Sequence, residues 1–420
     1  INLDQASPTI SHNRIVGNFA VQGAGIYGYH SSAVITFNVI AANEHVPVMG
    51  ETLYEPEAGG GIFLDGGTPI VRYNRISGNR AESGGGVYLK DAANADVRDN
   101  VIGGNGGGDA FQLSGGTSVF TNNTVAGNWI GDSELSGISL VHGPNSAVSQ
   151  NRIDRAGGNG IEILEAGGVT VAENQIGAAG KNGIAVIRGA NSAILDNGIE
   201  SVSGQAGDPD SGHGIVVQDG TSSTISGNRI QTVRSDGIRV ANATHATLEH
   251  NVIGIADGTG IAILDGIYAT VVENEVHQAG QAAFALSRTA NAVFTGNRIL
   301  ASAGDGIRVM SASYVNISGN ELGRIDLNGI VVVDSPDGQI TGNTVEFAFD
   351  PLGQALSGMM FVTGGAEPAL IHLGVLDQAT AITLSHAVLT ALFQRERSGK
   401  GQQVEVSLYG TALWLQYANL

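Results

Sequence analysis

Two short phrases in this chain repeat the same chemical pair. Asp236 and Arg239 stand in "SDGIRV", and Asp305 and Arg308 stand in "GDGIRV". A carboxylate three residues from a guanidinium joins a proton acceptor to a neutraliser of anionic charge, the requirement for taking a proton from a carbon beside a carboxylate. The acids Asp208 and Asp210 and the imidazole of His213 lie just upstream in "GDPDSGH", and Glu162 lies in "GIEIL". Asp208 and Asp210 offer oxygen ligands to Ca²⁺, at no established spacing. The same residues also suit a surface salt bridge and a polar loop.

What positions these residues is a repeat. The phrase Asn-x-(Ile/Val) has its Asn at 13, 38, 74, 100, 123, 151, 174, 197, 228, 251, 274, 297 and 343, and Asn320 fills the slot as "NEL". From Asn228 to Asn343 the spacing is 23 residues. Nine residues after the Asn comes Gly-Ile-x-(Val/Ile), and a third alternating segment leads into the next Asn. Three short strands per repeat cannot bury a face alone, but stacked coils enclose one apolar column. The predicted fold is all-β: a right-handed parallel β-helix of about 14 coils, roughly 65 Å long at about 4.8 Å per coil. The Asn is expected to bond the turn backbone and the Asn of the next coil, while tolerating a left-handed bend.

The departures from the period are expected between Asn-x-Ile and the next Gly-Ile, at about 41–60, 126–136, 198–213 and, shorter, 77–85. Insertions at one corner project from one flank, although exposed loops tolerate insertion anywhere. The outward residue of the Gly-Ile strand forms a ladder: Glu162, Ala185, Val216, Arg239, Ala262, Ala285, Arg308 and Val331. No aromatic platform is visible along it. The stretch "GNGGGDAFQ" at 104–112 is one residue from a Gly-rich calcium-binding nonapeptide, but as a single copy it reads as a plain turn.

Composition sets limits. The chain has 420 residues, 63 of them Gly, no Cys and a net charge of −19. That charge argues against nucleic acid and anionic membrane surfaces as partners. No apolar run reads as long enough to span a membrane. The opening "INLDQASPTI" has neither an initiator Met nor a signal-peptide pattern, so the chain reads as a fragment or processed product.

The phrase "GNRIQTVRSDGIRVANATHATLEHNVI" resembles the repeat of pectin-lyase-like β-helix proteins, of the carbohydrate-associated type also seen in NosD-like periplasmic proteins. The resemblance covers about residues 8–347, within a predicted β-helix domain of 1–347. It implies a polysaccharide or glycan partner held in a groove beside the Gly-Ile strand, and an extracellular or periplasmic setting. On uronic acids, Asp236, Arg239, Asp305 and Arg308 would supply catalysis as a lyase or epimerase, with His213 and Glu162 binding substrate and Ca²⁺ at Asp208 and Asp210. A passive structural or adhesive rod is the alternative. The rod carries −17 of the net charge, so a neutral glycan or a Ca²⁺-dependent polyuronide fits better than free binding of a polyanion.

From Phe349 the repeat vanishes. "DQATAITLSHAVLTALFQRERSGKG" predicts a helix with Asp377 as N-cap, Arg395 and Arg397 in its last turn, and a stop at Gly399. "QQVEVSLYGTALWLQYANL" alternates like a strand before a short apolar helix. "FDPLGQALSGMMFVTG", "GVLDQATAI" and "LFQRERSGKGQQVEVSLYGTAL" together resemble the middle of a class III CoA-transferase (formyl-CoA transferase, carnitine CoA-transferase and α-methylacyl-CoA racemase family). That resemblance makes 348–420 a truncated, mainly helical α/β segment and implies that Asp377 is a nucleophile toward a CoA thioester, in a cytoplasmic setting. The remainder of such a domain is missing, so the join near 346–349 is expected to be a seam. The tail helices are expected to cover the open end of the column.

Overall fold

The computed structural model describes residues 1–46, 59–81, 84–106, 109, 111–114, 123–345, 371 and 374–415, with 111–114 described by their backbone alone. Three 14-stranded sheets run the length of the rod. Each coil contributes one strand to each sheet, and every strand pairs in parallel with its counterpart in the coils before and after. One coil shows the pattern: Ile161–Leu164 lies in the first sheet, Thr170–Ala172 in the second and Gln175–Ala179 in the third. Ile161, Ile163, Val171 and Ile176 point inward and are buried. Period-two alternation on three strands thus fills a single column of Ile, Val and Leu. The expected parallel β-helix of about 14 coils is what forms.

The Asn column is a continuous polar spine. In each coil from Asn13 to Asn320, the backbone N–H and the Nδ2 of the Asn both donate to Oδ1 of the next coil's Asn, at 2.8–3.1 Å. Nδ2 also donates to a carbonyl of the coil below, as Asn228 does to Ile194 at 2.9 Å. The bend itself falls one residue earlier than expected. Phe37, Glu173 and His250, each preceding its Asn, carry the positive φ values of 56°, 56° and 54°. The Asn keeps an ordinary φ and aims its amide inward.

The period misassigns one coil. Asn128, not Asn123, stands in the spine between Asn100 and Asn151. Asn123 sits at another corner, where its Oδ1 accepts the Ala95 N–H. The departure expected at 126–136 is therefore absent: Trp129–Ser133 and Ile138–Val141 follow Asn128 at the regular spacing. Most of the extra residues of that coil fall after Ser114, at 115–122, outside the described residues, as do most of the 41–60 insertion and residues 82–83 of the shorter one.

The Gly of Gly-Ile is a packing requirement. A Cβ on Gly237 would stand 2.5 Å from the Gly260 carbonyl oxygen and 2.8 Å from Ile253 Cγ2. The chain passes too close to the next coil there for a side chain without a backbone shift.

In the tail, α1 (Val375–Ser398) begins two residues before Asp377. Gly374, at φ 58°, is its N-cap, and Asp377 lies in the first turn. Gly399 ends it as expected, with its N–H on the Arg395 carbonyl at 2.8 Å. Residues 400–407 form no strand, and α2 (Leu408–Leu415) follows. α1 is long and apolar enough to cross a membrane by length and composition alone, which the run-by-run reading of the sequence did not detect. Leu376 of α1 and Ala412 of α2 form a small core with Ile371, Val375 and Leu408. Among the described residues, no solenoid side chain joins that core. Val332, Ile340 and Val345, three of the inward residues of the last coil, remain exposed, so the expected cap over the column is not formed by α1 and α2. The seam at 346–349 lies outside the described residues.

Candidate functional site

The outward ladder of the first sheet has the expected register. Glu162, Ala185, Val216 and Arg239 are consecutive partners. Two small or short side chains between two long charged ones leave a hollow, with Glu162 and Arg239 roughly 14 Å apart at about 4.8 Å per coil. The resulting cleft, about 170 Å³, is lined by Asn159, Glu162, Lys181, Asn182, Asp210 and His213, with Arg239 and Gln218 at its far side. It holds both signs of charge and several amides. That suits a polar, ring-sized group better than a drug-sized ligand, whose pockets run to about 300–1,000 Å³.

The residues preceding the Gly-Ile strands form a second polar column that sequence reading did not resolve. Asn182 N–H donates to Asn159 Oδ1, His213 N–H to Asn182 Oδ1, Asp236 N–H to His213 Nδ1 and Thr259 N–H to Asp236 Oδ1, at 2.8–3.1 Å. The column continues with Asp305, whose Oδ1 accepts the Asn328 N–H at 3.1 Å and its Nδ2 at 2.8 Å. What recurs is an acceptor at a fixed position, not a residue type, so Asn, His and Asp all serve.

This column decides the chemistry of His213. Its Nδ1 accepts a backbone N–H, so the neutral ring carries its proton on Nε2. His213 is fully buried, and Nε2 has no hydrogen-bond partner. Burial lowers its pKa, against the opposing pull of Asp236, whose Oδ2 is 3.5 Å from Nδ1. The carbonyl of Pro209 also favours a proton on the ring, without completing a hydrogen bond at Nε2. The Nε2–H is therefore an unsatisfied donor beneath the cleft surface, with no area open to solvent.

Glu162 is steered from below, its Oε1 accepting from Asn159 Nδ2 at 3.0 Å. The 198–213 insertion overhangs the cleft and is pinned by Ser211, whose Oγ accepts the Gln205 N–H at 2.9 Å and donates to the Asp208 carbonyl. Asn182 Nδ2 holds the Asp210 carbonyl at 3.1 Å. Asp208 Oδ1 takes the Asp210 N–H at 3.0 Å, and its Oδ2 lies 3.8 Å from Lys181 Nζ. Among the described residues no three His, Asp or Glu side chains converge as a metal site.

The structure thus gathers Glu162, Asp210, His213 and Arg239 around one cleft, with Asp236 beneath Arg239 at 3.4 Å. Asp208 belongs to the neighbouring hollow on the outer side of the loop. Asp305 and Arg308 lie three coils away, paired at 2.7 Å. Burial would raise the Asp305 pKa, but donors from Asn328 and Arg308 outweigh it and hold the carboxyl below its ordinary value. That carboxylate is fully engaged in the column. Asp377 is exposed in the first turn of α1.

Two features of this flank went unseen in the sequence. A trough of about 600 Å³ runs along the neighbouring corner, past Asp132, Glu134, Arg155, Gly157, Gly180 and Ser203. After Asn2, the first-sheet ladder also carries the aromatics Tyr27, Phe63 and Tyr88, the first two stacked at 5.5 Å and Tyr88 tilted against Phe63 at 5.4 Å. Irregular coil lengths in this region hid their register.

Asp109 begins the second column, its Oδ1 accepting the Ser136 N–H at 2.8 Å. Burial, with the charge of Glu162, pushes its carboxyl up to about 6. A raised carboxyl pKa penalises the fold at high pH, and the penalty fades as pH falls through 6 toward the unfolded value near 3.9. Asp109→Asn keeps the acceptor and removes the charge. It should stabilise the chain by about 2–3 kcal/mol at pH 8 and have no effect near pH 4. Thermal melts across that range check this, and an equal shift at both ends would refute it.

Residues 1–132, 52–199, 136–282 and 213–365 match the family described as right handed beta helix region, and residues 338–420 match CoA-transferase family III. In the tail, an acyl-CoA transferase of Fusarium pseudograminearum is 39% identical over 69 residues, 16% of this chain and 15% of that protein. A succinyl-CoA:mesaconate CoA-transferase of Haloarcula hispanica is 37% identical over 70 residues, 16% of this chain and 18% of that protein. The chain therefore spans less than a fifth of the length of these curated relatives. Among solved structures, the A-module of a mannuronan C-5 epimerase of Azotobacter vinelandii superposes with a TM-score of 0.45 at 12% identity, covering 75% of this chain and 91% of that one.

Proposed function

Because the chain belongs over most of its length to the right-handed β-helix family, we propose that it is a polysaccharide-directed solenoid that seats one sugar unit in the first-sheet cleft. The observation that carries this is the buried His213 Nε2–H, left without a partner in a polar, ring-sized cleft. A buried donor left unmade costs about 1–3 kcal/mol, which a sugar oxygen would return once the groups covering Nε2 move aside. Amides and carboxylates around the rim match the hydroxyl pattern of a sugar ring, and the adjoining trough gives a chain room to continue along the rod.

The finer reading is action on a uronate. Arg239 and Lys181 face the sugar carboxylate, His213 donates to a ring or carboxylate oxygen, and Glu162, with Oε2 to spare, takes the proton from C5. The electron pair left at C5 either expels the C4 oxygen, as in a lyase, or is reprotonated from the opposite face, as in an epimerase. Asp236 positions Arg239, being occupied itself by the column.

The test incubates the full chain with polyuronides and neutral glycans, with Ca²⁺ or with a chelator. Retention on a glycan is expected, with unsaturated or epimerised uronate as product, abolished by Glu162→Gln. Retention without turnover would leave a binding rod, and no retention on any glycan would end the proposal. Acyl transfer to Asp377, implied by the tail's resemblance, has no part in this reading and is decided separately by hydroxylamine-sensitive labelling with an acyl-CoA.

A further inference from the structure

The outer face of the third sheet carries a row that mixes cationic, aliphatic and aromatic side chains. Arg14, Val39, Arg75, Val101, Trp129 and Arg152 are consecutive partners across six coils. Trp129 is 50% exposed, and Val39 and Val101 are exposed beside it. Its indole is nevertheless fixed, because Nε1 donates to Asp154 Oδ2 at 2.7 Å in the next coil. Arg152 is spent on the same carboxylate, at 2.7 Å. Arg14 and Arg75 have no acidic partner among the described residues, whereas Arg72 and Arg98, on the adjoining second sheet, share Asp96. Along the near edge His12, Phe37 and Tyr73 stack at 5.2 and 5.1 Å, with Phe37 and Tyr73 half exposed.

We propose that this face is a second binding strip, distinct from the cleft, for a linear acidic polysaccharide. Two unpaired guanidiniums on one row of a chain with net charge −19 call for anionic groups, which Arg takes in bidentate geometry. They stand two coils apart, roughly 9.6 Å at about 4.8 Å per coil, so the charges they read are spaced, not dense. A held, exposed indole offers a flat face to the C–H side of a sugar ring. The two valines let a chain lie flat between these contacts. A nucleic acid would also stack on aromatics, but its charge at every nucleotide meets the repulsion of a rod whose net charge is −17.

Affinity electrophoresis of the full chain tests the strip, using plain agarose as the neutral galactan and agarose with dissolved κ-carrageenan, which carries one sulfate per disaccharide. Retardation is expected only with carrageenan. Trp129→Ala, and Arg14→Gln with Arg75→Gln, should each weaken it about three- to tenfold. His213→Asn, in the cleft, should leave it unchanged, which separates this strip from the reading of the cleft. Circular dichroism confirms that the variants remain folded. Equal retardation in plain agarose, indifference to the strip variants, or tighter binding of an oligothymidylate would overturn the proposal. So would a concentration-dependent dimer abolished by the same variants, since the face would then belong to a second copy.

Discussion

Asn228→Ala is expected to destabilise the rod by about 3–6 kcal/mol and to divide its unfolding into separate transitions. Asn228 is fully buried. Its Oδ1 accepts both the N–H and the Nδ2 of Asn197, at 3.0 and 2.9 Å. Its Nδ2 donates to the carbonyls of Ile194 and Ser226 and to Asn251 Oδ1. Alanine leaves two donors of Asn197 and at least the Ile194 carbonyl inside the rod without partners, and each such group costs about 1–3 kcal/mol. Asn197 and Asn228 are both buried, so these groups would be left inside the rod. Because each coil contacts only its neighbours, the break weakens one interface and lets the flanking coils unfold apart. Chemical denaturation followed by far-UV circular dichroism reads both effects. Asn123→Ala supplies the contrast, since Asn123 lies outside the spine and should cost far less. A loss under about 1 kcal/mol at Asn228, or equal losses at the two sites, would show that the spine is not what holds the coils in register.

That pair of variants also marks how far the fold was legible. Between Asn228 and Asn343 every coil repeats the same environment, so identical packing demands identical residues and the period is plain. Around Asn123 and Asn128 two Asn-x-(Ile/Val) phrases lie five residues apart, and only the hydrogen bonds choose between them. The second polar column was hidden for a different reason. It requires an acceptor for the next coil's N–H, and Asn159, His213, Asp236 and Asp305 meet that need with different side chains. Periodicity in residue type cannot detect periodicity in function. Asp236 and Asp305 were legible as chemical candidates but not as members of a structural column, which alters what each is free to do. The tail shows a local limit of the same kind: Gly374 caps α1 through a positive φ, whereas Asp377 has the more familiar capping side chain.

The same column supplies a substitution that separates structure from function in the cleft. His213→Asn should leave the melting temperature nearly unchanged at pH 8 and weaken glycan binding about tenfold to a hundredfold. Asn159 and Asn182 already fill this position in the two preceding coils, so an Asn at 213 can accept the Asp236 N–H. What it removes is the Nε2–H in the cleft, because its shorter amide ends where Nδ1 now stands. The pH dependence sharpens the comparison. Burial depresses the His213 pKa, so its contribution to stability is complete above the unfolded value near 6.5 and is lost as pH falls from there through the folded value. Protonation places a hydrogen on Nδ1 against the Asp236 N–H and breaks the column at that rung. The wild-type chain should therefore lose stability as pH falls below about 6.5 and lose glycan binding as the folded ring protonates, and the Asn variant should lack that portion of the stability loss. Binding isotherms and melts between pH 5 and 8 measure both. If the variant binds as tightly as wild type, His213 does not reach the ligand; if it melts far earlier at pH 8, the column requires an imidazole and His213 is a structural residue alone.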